Sequence, residues 1–210
     1  MRRLLLATTN PDKIKEIRGI LAGLPVELVG LNEVTPGDEP EETGSTFEEN
    51  ARLKARYYAD ASGLTAIAED SGLAIDELGG APGVESARFG GSDTTYPQKF
   101  ALIYDRLRQH NVTTSTARFV CVVAISSSSG ILFEARGTIE GSIAPSPAGS
   151  NGFGYDPIFF YPPLGCTLAE VSREQKATVS HRGAAFAQVR TYLENFQPPT
   201  SNSQRPKPRF

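Results

Sequence analysis

Cysteine is scarce: two residues in 210. Cys121 lies in a strand-like run and Cys166 in a Pro/Gly loop, with no metal-ligand spacing between them. That pattern excludes a disulfide framework and points to a reduced, intracellular protein. Long apolar runs are also missing. The N-terminal MRRLLLATTN has two arginines, an apolar stretch far short of the roughly 20 residues of a membrane span, and no signal-peptide cleavage pattern. A cytoplasmic location with no membrane partner is therefore expected. Neither sign of charge dominates, with 21 Lys and Arg against 24 Asp and Glu, which argues against a surface adapted to a nucleic-acid polymer. The absence of a GxxxxGK[ST] loop removes a P-loop kinase or GTPase, and no internal repeat is present. What remains, 39% hydrophobic, suffices for a full core and for an enzyme.

The centre of the chain carries the first chemical signal. An apolar run, 64–68, reads as a short buried strand and is followed at once by Glu69, Asp70, Ser71 and Gly72. Ligands of open α/β sheets sit at the carboxyl ends of strands, so two carboxylates there can hold a divalent metal or a water. The same residues also suit a polar turn with no further role. Earlier, residues 3–7 predict a strand, and Thr8, Thr9, Asn10, Pro11 and Asp12 a tight turn into a helix, with Asn10 as N-cap and Pro11 as first helical residue. Ile14, Ile17, Leu21 and Leu24 form its buried face, which puts Lys15, Glu16 and Arg18 toward water and leaves Lys13 in the first turn. A lysine beside the positive end of a helix is disfavoured unless an anion lies between them. Strand, hydroxyl-rich turn, capped helix and early lysine suit a phosphate; an ordinary strand-to-helix turn is the other reading.

A second strand, 26–29, leads into an acidic loop, 32–44, able to bring a carboxylate over the site. Ser45 to Glu48 matches a capping box, and the helix after it, to about Ser62, buries Phe47, Ala51, Ala55 and Tyr58. Lys54, beside that stripe with Asn50 one turn before it, either snorkels or reaches a buried anion. Residues 73–78 read as a strand exposed on one side, 79–89 as a glycine-rich loop, and Phe100, Ile103, Tyr104 and Leu107 as a helix capped near Asp93 or Thr94. Runs 117–125 and 131–143 predict an antiparallel hairpin, hence a mixed sheet and not a fully parallel one. In the loop 147–163, glycines permit close backbone approach, Phe153 and Tyr155 offer flat faces and Asp156 an acceptor. That suits a stacked purine, or an aromatic loop packed on the core. Residues 168–178 read as a helix containing Lys176; the last helix starts at Ser180 and buries Ala185, Val189, Tyr192, Leu193 and Phe196. His181 and Arg182 sit in its first turn, again positive charge at the wrong end. Two such helices, an inward lysine and a carboxylate pair suggest one polyanion between them. A domain spanning 1–197 and a disordered Pro-rich tail, 198–210, complete the organisation.

Five stretches in order, LATTNPDKIKE, EETGSTFEENARLKA, AEDSGLAIDELGGAPGVESARF, GFGYDPIFF and REQKATVSHRGAA, resemble those of the inosine/xanthosine triphosphate pyrophosphatase family, enzymes of non-canonical purine nucleotides. The resemblance implies an α/β, two-lobed ITPase-like fold with a long mixed central β-sheet flanked by helices and an active-site cleft between lobes. It also implies a Mg²⁺ cofactor, a homodimer, and hydrolysis of ITP, dITP or XTP to monophosphate and pyrophosphate by water attacking the α-phosphorus. By the same resemblance the turn from Thr8 through Thr9, Asn10, Pro11 and Asp12 to Lys13 holds the triphosphate, and Lys54 assists. Asp70 is implied as metal ligand and general base, with Glu69 beside it as the alternative base. Glu42 is implied as a second metal ligand, and Ser71 as a substrate contact. Phe153, Gly154, Tyr155, Asp156, Lys176, His181 and Arg182 match the base-recognition segments. Two positions depart from the family pattern: Thr9 stands where glycine is common and Glu69 where many members have aspartate. A 6-oxo base satisfies donors on His181 and Arg182, whereas the 6-amino group of adenine leaves them unpaired; no wall against the 2-amino group of guanine is legible. Two alternatives remain: a Maf-like pyrophosphatase acting on modified pyrimidine nucleotides, and a non-catalytic nucleotide-binding protein.

Overall fold

An apolar β-branched strand able to pair along its whole length decides the architecture. The structure, a computed structural model, describes residues 2–34 and 38–195. Its elements are β1 (Arg2–Leu6), α1 (Pro11–Ile20), β2 (Val26–Gly30), α2 (Phe47–Ser62), β3 (Thr65–Ile75), α3 (Tyr96–Gln109), β4 (Thr116–Ser127), β5 (Gly130–Ile143), β6 (Phe159–Tyr161), β7 (Cys166–Thr167), α4 (Arg173–Val179) and α5 (His181–Asn195). They build one seven-stranded sheet in the order β2-β1-β3-β4-β5-β6-β7. β1 pairs in parallel with β2 and β3, and the remaining pairs are antiparallel. The mixed α/β sheet expected from the sequence is therefore present.

Both faces of the sheet are covered, which is why β4 reads as an almost unbroken apolar run. On one face Leu4, Leu6, Ile67, Cys121 and Val123 pack against Ile17 of α1, its C-cap Leu21, and Phe186 and Val189 of α5. On the other, Leu5, Ala66, Ala68, Val120 and Val122 pack against Ala51, Ala55 and Tyr58 of α2. The far ends of β3, β4 and β5 contribute Leu73, Ile75, Phe119 and Ile139 to a further cluster with Phe100, Ile103 and Leu107 of α3 and Phe159 of β6. The long central strands thus run through both packed halves.

The expected end of a strand at residue 68 is corrected. β3 continues unbroken through Glu69 and Asp70, in register with β4 from Ala66 opposite Ser126 to Ile75 opposite Ala117. The β4 ladder supplies a partner at every position, so two charges do not interrupt the pairing. The strand expected at 73–78 is the end of β3 followed by a 3₁₀ turn, Asp76–Leu78. The α2 cap falls one residue later than expected: the Thr46 side chain accepts from Glu49 N, and the Glu49 carboxylate accepts from Thr46 N (3.2 Å) and from Ser45 N (2.7 Å) and Oγ (2.9 Å). The α3 cap is Thr95. The helix expected at 168–178 is corrected to Arg173–Val179, after the Ser172 cap, because β7 (Cys166–Thr167) edges the sheet and Leu168 N still bonds to Phe159 O at the start of β6 (3.1 Å). Phe196 and the tail 198–210 lie outside the described residues. Among the described residues no helix is long and apolar enough to cross a membrane.

Unequal strand lengths open the site. β1 stops at Leu6, and the last bond on that side runs from Ala7 N to Ile67 O (2.8 Å). β3 goes on past it, and the next contact on that edge is Leu73 N to Ser86 Oγ (3.0 Å). Residues 69–72 lie between these two closures.

Candidate active site

A cavity of about 660 Å³ lies at this opening, lined by the turn after β1, α2, Glu69, Ser71 and Gly72 of the β3 edge, the 85–88 turn, the 153–156 loop and the start of α5; Asp70 is buried just behind this wall, next to Lys54, which does line it. That size is in the range of small-molecule sites.

Side chains alternate along a strand, so Glu69 and Asp70 serve opposite faces. Glu69 faces α1 and α5. Its carboxylate accepts from Arg182 Nε (3.1 Å) and Nη2 (3.0 Å) and from Cys121 Sγ (2.9 Å), and it pairs with Lys13 Nζ (2.9 Å). Burial pushes this carboxyl up, but the charges of Arg182 and Lys13 outweigh it and hold it well below the usual carboxylate range. Asp70 faces α2, accepting from Lys54 Nζ (3.1 Å) and Asn50 Nδ2 (3.2 Å). Here burial raises the carboxyl; Lys54 opposes that, and the charge of Glu42 adds to it. Lys54 also donates to Glu42 Oε1 (2.5 Å), so one ammonium joins the two carboxylates. Burial works against the charged form of Lys54, yet Asp70 and Glu42 keep it firmly protonated. Of the two sequence readings for Lys54, the buried anion is correct, and it belongs to the protein itself.

The turn after β1 has the expected geometry. Asn10 Oδ1 accepts from Asp12 N (3.0 Å) and Lys13 N (3.2 Å), and Thr8 Oγ1 accepts from Asn10 N (3.2 Å). Thr8, Thr9, Asn10 and Lys13 line the cavity, whereas Pro11 and Asp12 belong to the turn without lining it. The positive charges at the starts of α1 and α5 predict, from sequence, a bound polyanion. Glu69 answers both of them, and Glu16 shares Arg182, because carboxylates on β3 and α1 fall between the two helix starts.

At the other end of the cavity, Lys176 pairs with Asp156 (2.6 Å) and Glu16 (3.0 Å), and Arg182 Nη1 donates to Glu16 (2.7 Å). Arg182 Nη2 also donates to Ser71 Oγ (3.0 Å). Phe153 lies within cation–π range of Lys176 (4.6 Å) and Arg182 (5.4 Å). Asp156 accepts from Phe153 N (2.9 Å), which fixes the loop on which Gly154 also sits. Tyr155 is buried, donates to Ser86 O (2.9 Å) and meets Tyr96 edge-on. His181 stacks on Phe119 (4.7 Å) with its Nδ1 buried and unpartnered. Burial, and then the Arg182 charge, push its pKa well below the ordinary value, so the imidazole is neutral.

The apolar spacing of α1 predicts Glu16 toward water; it is largely buried beneath Lys176 and Arg182. Its position three residues after Lys13, on the same helical face, was the available signal. Arg88, which pairs with Glu42 (2.8 Å), and the Asn50 contact to Asp70 were also not assigned roles from the sequence.

The chain is similar to known proteins over almost its whole length. A dITP/XTP pyrophosphatase of Exiguobacterium sp. is 46% identical over 194 residues, 92% of this chain and 98% of that protein. The dITP/XTP pyrophosphatase of Escherichia coli O157:H7 is 43% identical over 197 residues, 93% of this chain and all of that one. The solved structure of a HAM1 protein from Coxiella burnetii superposes with a TM-score of 0.87 at 39% identity, covering 93% of this chain and 100% of its own. The sequence profile of the Ham1 family matches residues 4–192, which include every site element described above, and the chain belongs to that family.

Proposed function

We propose that this protein hydrolyses non-canonical purine nucleoside triphosphates, dITP, XTP and ITP, to the monophosphate and pyrophosphate, with Mg²⁺. The observation that carries the reading is a single cavity combining a capped helix start with Lys13, a carboxylate–ammonium–carboxylate bridge through Lys54, and a buried neutral imidazole with an unpartnered nitrogen. Phosphoryl transfer is served mainly by charge neutralisation and alignment, which the first two features supply. The names of the similar pyrophosphatases favour the same substrate class.

Glu42 and Asp70 are the residues that would hold Mg²⁺. Their hard oxygen donors suit it, and among the described residues no group of three or more His, Cys, Asp or Glu forms a self-contained metal site. Two carboxylates joined through one ammonium give Mg²⁺ few protein donors, and Mg²⁺ usually keeps phosphate and water as its other ligands. Bound there, Mg²⁺ would offset phosphate charge. Asp70 suits the base that takes the proton of the attacking water, because only one cation, Lys54, pairs with it, whereas Glu69 is engaged by both Arg182 and Lys13 and is the weaker base. Lys13 and Lys54 lie where they can exchange carboxylate partners for phosphate oxygens. At the base end, four of the five Arg182 N–H groups are already used by Glu69, Glu16 and Ser71. Neutral His181 completes the selection in the tautomer that carries its proton on Nδ1, where it donates to a 6-oxo group and finds no acceptor on the 6-amino group of adenine.

The test is pyrophosphate release from dITP, XTP, dATP, dGTP and modified pyrimidine triphosphates, with and without Mg²⁺. Release confined to dITP and XTP in Mg²⁺ is expected. Phosphate release in place of pyrophosphate, or preference for a pyrimidine, sinks the reading.

A further inference from the structure

Glu42 has both carboxylate oxygens engaged: Oε1 by Lys54 (2.5 Å) and Oε2 by Arg88 Nη1 (2.8 Å). Burial pushes its carboxyl up, but Lys54 and then Arg88 together outweigh it and hold the carboxyl below the usual range. A divalent ion approaching Glu42 meets two positive charges already in place. Arg88 differs from Lys54 in one respect: its side chain is 41% exposed, against 9% for Lys54. Its backbone, by contrast, is pinned. Lys99, a buried ammonium, donates to Ala87 O (2.5 Å). Ser86 Oγ accepts from Leu73 N (3.0 Å) and donates to Gly83 O (2.6 Å), while Ser86 O accepts from Tyr155 (2.9 Å). Arg88 is therefore a guanidinium on a fixed base with a side chain free to change partner at the cavity wall. Its remaining bonds, to Glu85 at 3.2 and 3.3 Å, are solvent-exposed and weak.

Resting on the pyrophosphatase reading above, we propose that Arg88 binds the two phosphates that leave as pyrophosphate and, in doing so, releases Glu42 for the metal. Water oxygen bonds to the α-phosphorus as the bond from that phosphorus to the bridging oxygen breaks. The electron pair stays on the pyrophosphate, and the water proton goes to Asp70. Arg88 donates N–H bonds to the departing oxygens as they gain charge, in the forked geometry that guanidinium offers phosphate. The exchange makes metal and triphosphate mutually supportive. Phosphate draws Arg88 away from Glu42, and Glu42 then faces one competing cation fewer; by linkage each ligand improves the affinity of the other.

The experiment is calorimetric titration of wild-type protein and Arg88→Gln with three probes: sodium pyrophosphate in EDTA, Mg²⁺ alone, and deoxyinosine monophosphate. Arg88→Gln weakens pyrophosphate by at least about tenfold, the worth of a charge-assisted bond. It leaves the monophosphate within about twofold and tightens Mg²⁺ alone by at least about threefold, because a like charge has gone from beside Glu42. These opposite signs separate phosphate binding from a merely structural role, which would weaken all three together. Unchanged pyrophosphate affinity, equal loss of monophosphate, weakened Mg²⁺, or no metal-free pyrophosphate binding by the wild type overturns the proposal. Failure of the wild type to release pyrophosphate from dITP would instead overturn the function it rests on.

Discussion

Glu69 and Asp70 share a peptide bond but not an environment, and their division of labour follows from that. Asp70, with its raised carboxyl, is suited to accept a proton. Asp70→Asn is expected to lower turnover by roughly 10² to 10⁴, measured as pyrophosphate release, while deoxyinosine monophosphate still binds. His181 offers a second test. Folding lowers its pKa, so the unfolded chain takes up the proton first, and native stability falls as the pH drops below about 6.5, the ordinary value. His181→Phe keeps a flat ring against Phe119 and removes the titration. Thermal unfolding between pH 5 and 8 should show a shallower acid decline in the variant, and its preference for dITP over dATP should shrink.

At the scale of elements, the starts of α1 and α5 matter because the sheet approaches them closely. A Cβ built on Gly137 of β5 would lie 2.1 Å from His181 O and 2.6 Å from Ala185 N, both backbone atoms. Gly137→Ala must therefore push the first turn of α5 off the sheet. A loss of about 1 to 3 kcal/mol is expected from such overpacking, read by urea unfolding, together with weaker dITP binding as His181 and Arg182 move. The elements themselves were largely legible. The Asn10 cap, the α2 stripe and the β4–β5 hairpin follow from short-range periodicity and capping chemistry. The continuity of β3 was not legible, since two adjacent carboxylates after a short, mostly apolar run look like an exit from the core unless the facing strand is known. Glu16 was misplaced for the same reason: helical spacing tells which face meets the sheet, not that a second helix brings Lys176 and Arg182 over the other face.

For the whole molecule, Glu69 is the joint between the first helix, the central strand and the last helix. Glu69→Ala leaves Arg182 and Lys13 without their shared buried partner and is expected to cost about 3 to 5 kcal/mol at neutral pH, measured by urea denaturation. Because folding lowers the Glu69 pKa below its ordinary 4.5, that contribution is complete above about pH 4.5 and fades as the pH falls through the folded value. The wild-type and variant stabilities should therefore converge in acid. The sequence by itself determined the mixed α/β class, the capped helices, the aromatic loop and the kinds of charge the site employs, because these depend on neighbours a few residues apart. Which charges meet was decided by tertiary structure alone. Glu69 and Arg182 are separated by more than half the chain, and only the stopping of β1 short of β3 brings them to one opening.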